Sequence, residues 1–538
     1  MGEHAGRAGR IVVSLAVCAV VALLGVWAQN SSLVGVNYDD GIYVMVARAL
    51  AQGEGYRLTW LPVSLPAIKY PPVYPFSLVP FWLLSGSQET ALGAMKLANA
   101  VYIGLAAGLF AFLLSDLGIV RLPLAGVLAL VGFASGSMML VSTGLLSEPL
   151  YLVLLPLALW LIDRLTPQSS HIEVAVAALA AGLVALTRMV GISLLVAMLL
   201  AVAFRCGRRR ALTAVVASAV LVGPWFVFTL SAAGEIPTTL IPNYGSYAQL
   251  YLAGIAGSPL AALDIVATNV GALLQTLGAK FITGSALAQS LAGGLLLVIA
   301  LIGSRKLFRS VPATASYPWL YLAIVCVWSF PPFRFAFVLF PLLLALAAVG
   351  YQEMAALLVD GNAKRVGETR VRRGLVQAAP LIGLIVIGYL AVREARALDR
   401  RVWDGSQILK SEVGAEVLNW VSTNTDPRDV IAYEFDPLIA LHTGRRAVPN
   451  NYESVHVWYR RETPQVEPLA RLLRDMGVRY LAVRRDIPAV AEPIDALAGR
   501  YPNSLSLIHV TPGGALIFRA HLDALPAEPG GSSSGKPN

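Results

Sequence analysis

Apolar runs of bilayer length recur from residue 11 to residue 392 of this 538-residue chain. They fall at 11–28, 94–114, 122–141, 148–163, 172–187, 189–204, 211–230, 285–303, 315–331, 335–351 and 375–392. Each is near the roughly 20 residues that a helix needs to cross the hydrocarbon core. In lipid every backbone polar group must be satisfied within the spanning segment, so such runs are helices. The chain is therefore expected to be an α-helical polytopic membrane protein with about eleven transmembrane helices. Its composition agrees: at 57% hydrophobic and 14% charged, it carries more apolar surface than a soluble fold of this size hides, so most of that surface faces lipid.

Charge sets the orientation. Arg7 and Arg10 precede the first run, which resembles a signal peptide. No small-residue cleavage site follows it and further spans come after, so it reads as an uncleaved first helix. With the N-terminus cytoplasmic, the basic clusters 205–210 (R-C-G-R-R-R), 305–309 (R-K-L-F-R) and 364–373 (K-R-V-G-E-T-R-V-R-R) all lie in inner loops, as the positive-inside rule requires. The formal charge of +9 thus reports orientation, and no nucleic-acid partner is implied. Residues 29–93 become a first external loop and 231–284 a large one. Within the latter, 261–280 is apolar, but Asp264, Asn269, Gln275 and Lys280 make it a poor span. Counting it would also move 305–309 to the outer face, so it is expected to be an interfacial helix. Three cysteines, Cys18, Cys206 and Cys326, are far apart in sequence and give neither a disulfide framework nor a zinc site. The six histidines show no ligand spacing; His442, His456, His509 and His521 are scattered past residue 400. No internal repeat is evident.

The spans and their loops make a transmembrane domain over 1–398. From 399 to 525 the composition becomes that of a soluble domain, and an odd number of spans places it outside. Residues 413–420 have helical period, 429–435, 479–483, 505–510 and 515–519 read as strands, and 468–476 as a helix with proline in its first turn. The turn Pro512-Gly513-Gly514 would pair the last two strands. That pattern predicts a small extracytoplasmic α/β domain. The tail 526–538 (P-A-E-P-G-G-S-S-S-G-K-P-N) is expected to be disordered.

Residues able to do chemistry gather on the outer face. Stretch 37–75 reads N-Y-D-D-G-I-Y-V-M-V-A-R-A-L, then K-Y-P-P-V-Y-P. Ile42, Met45, Val46, Ala49 and Leu50 share one helical face, predicting an amphipathic helix lying in the membrane interface. One aspartate suffices to cap that helix; two, Asp39 and Asp40, leave a carboxylate able to take a proton from an attacking hydroxyl. Ser147-Glu148-Pro149 opens the span at 148 on the same face. Capping, the helix dipole and a first-turn proline are enough to explain it alone; its place on the face that holds Asp39 favours a functional role. Lys69, Arg188 and Arg334 break the positive-inside trend on that face. Each alone could be a snorkelling side chain; together they suit an anion site, arginine gripping phosphate through a fork and lysine as a point charge. Tyr70 and Tyr74 either stiffen their proline-rich loop or stack on a sugar. With water, Asp40 and Glu148 could hold Mg²⁺ or Mn²⁺; a metal requirement is left open.

The motifs Y-D-D-G-I-Y-x-x-x-A-R-A-L, K-Y-P-P-V-Y-P, T-G-L-L-S-E-P-L, A-L-T-R-M-V-G and P-P-F-R-F-x-x-x-L-F-P, in this order over about the first 350 residues, resemble the GT-C superfamily of polyprenyl-phosphate-dependent glycosyltransferases. The protein-mannosyltransferase and aminoarabinose-transferase-like branch is the most similar. The resemblance implies a sugar moved from a polyprenyl-phosphate donor, outside the cytoplasm and with inversion, to a lipid, glycan or protein acceptor. It implies Asp39 as general base, Asp40 as the second acid of the first-loop motif, and Glu148 as the second external acid. Lys69, Arg334 and, after the fifth span, Arg188 would hold the donor phosphate. Two departures stand out: K-Y-P-P carries one residue more than the K-P-P form of the aminoarabinose branch, and Phe335 stands where tyrosine is frequent. The alternative is a transporter or flippase for a lipid-linked sugar or anion, since membrane-embedded charges also mark transport paths. The candidates' place at one face and the lack of an inverted repeat weigh against it.

Overall fold

The computed structural model describes residues 2–255, 259–328, 330, 332–360, 370–451 and 466–526. His456 and nearly all of the 526–538 tail lie outside these residues. Helices α1 (Gly2–Trp27), α4 (Gln88–Asp116), α7 (Glu148–Asp163), α8 (His171–Thr187), α9 (Ile192–Cys206), α10 (Arg208–Ala232), α14 (Ala286–Leu307), α15 (Pro312–Cys326), α16 (Phe333–Asp360) and α17 (Arg370–Asp399) correspond to ten of the eleven apolar runs. The remaining run is broken: α5 (Leu122–Phe133) and α6 (Gly136–Thr143) meet at a bend of 59°. Among the described residues six helices are long and apolar enough to cross a membrane, or seven if the bent pair is one span.

Small residues set the closest helix crossings. A Cβ on Gly104 of α4 would stand 2.5 Å from the Ala22 methyl of α1. One on Gly303 of α14 would stand 1.9 Å from the Leu346 carbonyl oxygen of α16. Backbones approach this closely only where nothing but hydrogen intervenes, a usual device of helices packing in lipid. At one end of the bundle, the Asp163 carboxylate accepts from the backbone N–H groups of Ala313 and Thr314 and so caps α15. Arg205 donates there to the carbonyls of Asp163 and Ser310. The basic clusters 205–210 and 305–309 therefore meet at the same end.

Two expectations are corrected. Residues 261–280 belong with the helix bundle rather than in a separate loop: α13 (Pro259–Gly278) packs against α14, α15 and α16. A Cβ on Gly293 of α14 would stand 2.1 Å from the Leu274 carbonyl oxygen. Two of the four polar residues that argued against a span are used within the bundle, while Asp264 and Gln275 are exposed. Asn269 donates to the carbonyls of Val325, Cys326 and Trp328, and Lys280 pairs with Glu394 of α17. Helix α2 (Asp39–Ala51) is likewise not amphipathic in use, since every residue from Asp40 to Ala47 is buried. Helix α3 (Val73–Leu84) covers one side of it and a C-terminal helix the other.

That C-terminal part begins where α17 gives way to α18 (Asp404–Asn424). Arg401 donates to the carbonyls of Trp27, Ala28 and Gln29, placing a cation at the C-terminus of α1, where the helix dipole favours it. Strands β3 (Val430–Ala432), β4 (Arg446–Val448), β5 (Val478–Arg484), β6 (Leu505–Val510) and β7 (Ala515–Ala520) form a sheet of order β4-β3-β5-β7-β6. A two-residue pair, β1 (Arg57–Leu58) and β2 (Leu65–Pro66), stands apart in the first loop. β3 is parallel to β4 and β5, and β7 is antiparallel to β5 and β6. Side chains alternate along the strands. Ile431, Ala447, Ala482 and Ile517 pack with α18 and α19 (Asp436–Thr443). Val430, Val448, Leu481 and Leu516 pack with α20 (Val466–Asp475) and α21 (Pro488–Arg500). The strands and helices expected from the sequence all appear; β4, α19 and α21 are additional.

Candidate active site

The acidic loop is built by glycine and held from below. Gly35 has φ +109°, and a Cβ on it would stand 2.9 Å from Leu438 Cα. A Cβ on Gly41 would meet Pro437 at 2.8 Å. The first turn of α2 thus rests directly on the first turn of α19. Neither aspartate is the N-cap of α2; Tyr38 is, at φ 65°. Asp40 is buried, and its carboxylate accepts from the backbone N–H groups of Gly35, Asn37 and Gly41 and from Asn37 Nδ2. Burial pushes its carboxyl up to about 6 against the pull of those N–H groups. Asp40 holds the loop that presents Asp39, and no atom of it lines the cavity described next.

Asp39 faces a cavity of about 590 Å³ whose wall also includes Lys69, Tyr70, Arg188, Arg334 and Lys410. Tyr70 donates to Asp39 Oδ1 at 2.6 Å, and Arg334 Nη1 to Oδ2 at 2.8 Å. Burial alone would raise the Asp39 carboxyl; Arg334, the Tyr70 hydroxyl and Lys69 outweigh it and hold it below the usual carboxylate value. Glu148 is fully buried at the start of α7. Arg334 approaches its Oε1 through Nε and Nη2, both at 2.9 Å, while Arg188 Nη1 lies 2.8 Å from Oε2. Arg334 therefore bridges the two acids. Arg188 also donates to Ser147 Oγ at 3.0 Å, and Tyr43 contacts the same hydroxyl. Ser147 spends its hydroxyl there and does not cap α7.

Lys69 donates to the Asn243 carbonyl at 2.7 Å and lies over the rings of Tyr38, Tyr70 and Phe330. Tyr74 differs from its partner in the sequence motif: it is buried in the bundle, donates to Asn99 Oδ1 and stands off the cavity, so it has no surface to offer a substrate. The carboxylates do not converge. Both Asp40 oxygens are taken by N–H groups and Glu148 by two guanidinium groups, so the pair suggested for Mg²⁺ or Mn²⁺ does not fit a cation. Among the described residues no group of three or more His, Cys, Asp or Glu is placed to hold one.

Three wall residues were not among the sequence candidates. Tyr43 follows the acids by one helical turn, Tyr247 stacks on Trp328 with ring centroids 4.9 Å apart, and Lys410 arrives from α18. Only Tyr43 had a clue, lying four residues after Asp39 and hence on the same helical face. The assembled cavity offers an ionised carboxylate with lone pairs still open, beside four cations.

No protein-family model matches the sequence, and no curated protein matches it significantly. Solved structures do. ArnT from Cupriavidus metallidurans bound to undecaprenyl phosphate superposes with a TM-score of 0.55 at 14% identity, over 96% of this chain and 99% of that one. Its apo state gives 0.51 over 95% and 98%. The Archaeoglobus fulgidus oligosaccharyltransferase, tethered to an acceptor peptide containing the NVT sequon, gives 0.51 at 13% identity over 96% of this chain and 75% of that one. This chain has the fold of these GT-C glycosyltransferases.

Proposed function

We propose that this chain is an integral membrane glycosyltransferase that moves a sugar from a polyprenyl-phosphate donor to an extracytoplasmic acceptor, with inversion and with Asp39 as general base. One observation carries the reading: a half-buried, ionised carboxylate shares a cavity with Lys69, Arg188 and Arg334. The fold supports it, and the ArnT neighbour is a structure with undecaprenyl phosphate bound. The N-terminus is taken as cytoplasmic in the cell membrane and the site end as extracytoplasmic. The gathering of basic clusters at the opposite end agrees with that, by the positive-inside rule.

In this mechanism the acceptor hydroxyl attacks the anomeric carbon from the face opposite the phosphate. The new bond joins the acceptor oxygen to that carbon. The bond that breaks joins the carbon to the phosphate oxygen, which keeps the electron pair, and the acceptor proton passes to Asp39. Charge develops on the departing phosphate, where preorganised cations have their largest effect on rate. Arg334 is shared between Asp39 and Glu148 before the donor arrives. A phosphate that drew Arg334 toward itself would loosen it from Asp39 and make that carboxylate a stronger base when a proton must be accepted. Glu148 keeps both arginines in place through the exchange. No step is routed through a metal ion.

The test is transfer in membranes from a panel of radiolabelled polyprenyl-phosphate sugars. Wild type should consume one donor, and Asp39→Asn should be slower by roughly 10²–10⁴-fold, the usual worth of a positioned base. Wild-type turnover by purified Asp39→Asn would remove Asp39 as base. Labelled lipid that crosses the membrane unconsumed would replace the enzyme by a transporter.

A further inference from the structure

Helices α9 and α14, two of the six long and apolar enough to cross a membrane, both pack on α15. At one end the three helices wall a recess of about 690 Å³. The path of the chain says which end. Helix α7 starts at Glu148 in the active site and ends at Asp163, which caps the first turn of α15. From there α15 leads back towards Trp328 in the wall of the active-site cavity. The recess borders Ala315 and Ser316 near the start of α15, so it lies at the end opposite that cavity, where the basic clusters meet.

The recess has an apolar part and a charged rim. Leu200 and Leu301 are exposed and line it. Each lies six residues before the last residue of its helix, Cys206 and Leu307, and hence about 9 Å farther into the bilayer. Trp319 donates to Ser304 Oγ at 2.9 Å, so its indole N–H is spent within the wall. Arg305, Lys306 and Arg309 form the rim. Lys306 pairs with Glu353 of α16 at 2.9 Å. Among the described residues, the side chains of Arg305 and Arg309 make no hydrogen bond or ion pair. The helix dipole favours cations in a last turn, and inner loops are basic in any case. Neither reason calls for an apolar recess beside two unpaired guanidinium groups. Within the hydrocarbon core no water is on hand to fill such a recess, so a lipid chain does. The headgroup of that lipid then meets the two arginines. We propose that the recess binds an anionic phospholipid, with an acyl chain against Leu200 and Leu301 and the phosphodiester between Arg305 and Arg309. Arginine forks match phosphate oxygens, and basic pockets between spanning helices are the form that headgroup sites take. By the orientation given above the lipid belongs to the cytoplasmic leaflet. Nothing in this site depends on the sugar-transfer reading or on Asp39.

The test uses the purified, delipidated full-length chain. Phosphatidylglycerol and phosphatidylcholine with the same acyl chains are titrated in, and bound lipid is counted by native mass spectrometry. Wild type should prefer phosphatidylglycerol by about 30-fold, the worth of two interfacial cations on an anionic lipid, and should melt higher with it, since it binds the folded state. The double variant Arg305→Gln/Arg309→Gln should lose the preference. The double variant Arg208→Gln/Arg209→Gln removes two cations at the same end that do not line the recess, and should keep it. All four arginines are exposed, so both proteins should match wild type in lipid-free melting. Leu301→Trp, which narrows the recess and leaves its charge intact, should weaken phosphatidylglycerol. Equal loss of preference in the two double variants would mean that a diffuse positive surface attracts the lipid, and overturns the site. A wild type with no preference overturns it as well. If inorganic phosphate displaces phosphatidylglycerol and Leu301→Trp binds it like wild type, the rim is a free-phosphate site and the lipid assignment falls.

Discussion

Adjacent aspartates do different work because their oxygens find different partners. The two oxygens of Asp40 collect four donors from its own loop. Asp39 meets only a hydroxyl and a guanidinium across the cavity. Removing each should therefore fail in a different way. Asp40→Ala strands buried backbone N–H groups at about 1–3 kcal/mol each, so it should lower the melting temperature and activity together. Asp39→Asn should lose transfer and melt close to wild type, because the amide oxygen can still accept from Arg334 while the amide NH2 donates to the Tyr70 hydroxyl. Thermal unfolding in detergent beside the transfer assay separates the two. An Asp40→Ala protein that melts like wild type yet transfers nothing would return Asp40 to the chemistry. Sequence alone could not assign these roles: both carboxylates sit at the start of one helix, and the partners of Asp39 are contributed by residues 70 and 334.

Elements were legible where local physics decides them. Ten of the eleven apolar runs overlap a single helix, because nothing else satisfies a backbone in lipid, though the ends differ by up to nine residues, as at Gly2 of α1 and Asp360 of α16. The alternating strands 505–510 and 515–520 likewise follow from period and turn. What was missed depends on distant partners. Helix α2 shows an apolar stripe, and only α19, nearly 400 residues later, buries its other side. Lys410 lies in K-S-E on an amphipathic helix, a pattern that reads as solvated surface. Segment 261–280 looked too polar to join a bundle because Asn269 finds its acceptors at the end of α15 and Lys280 finds its own on α6 and α17. The helix crossings are equally invisible until two glycines meet. Gly303→Leu should force α14 from α16, since even a Cβ would stand 1.9 Å from a carbonyl oxygen, and overpacking of this kind typically costs about 1–3 kcal/mol. Gly294→Leu on the same helix, where a Cβ meets nothing within 4 Å, should leave the melting temperature unchanged. Equal melting of the two variants would show that the crossing does not limit stability.

At the scale of the whole molecule, the sheet and the bundle are joined through the site. Trp60 and Tyr244 both donate to Asp436 at the start of α19, Ala447 of β4 donates to the Trp60 carbonyl, and α2 stands on Pro437 and Leu438. The C-terminal part is thus a floor for the acidic loop, and through Lys410 a wall of the cavity. The height of that floor should set catalysis. Gly41→Ala would drive its Cβ against Pro437 and lift the first turn of α2, moving Asp39 relative to Arg334, which is anchored separately on Glu148. Small misplacements of reacting groups can cost on the order of 10²-fold in rate, so turnover should fall steeply while undecaprenyl phosphate binding, which does not use the Asp39 carboxylate, falls little. Removing the opposing Cβ with Pro437→Gly should restore part of the turnover in the double variant, beyond the sum of the single effects, because the two residues touch. Additive effects would mean that Gly41 acts within its own helix, and that the sheet supports the loop without setting the position of its carboxylate.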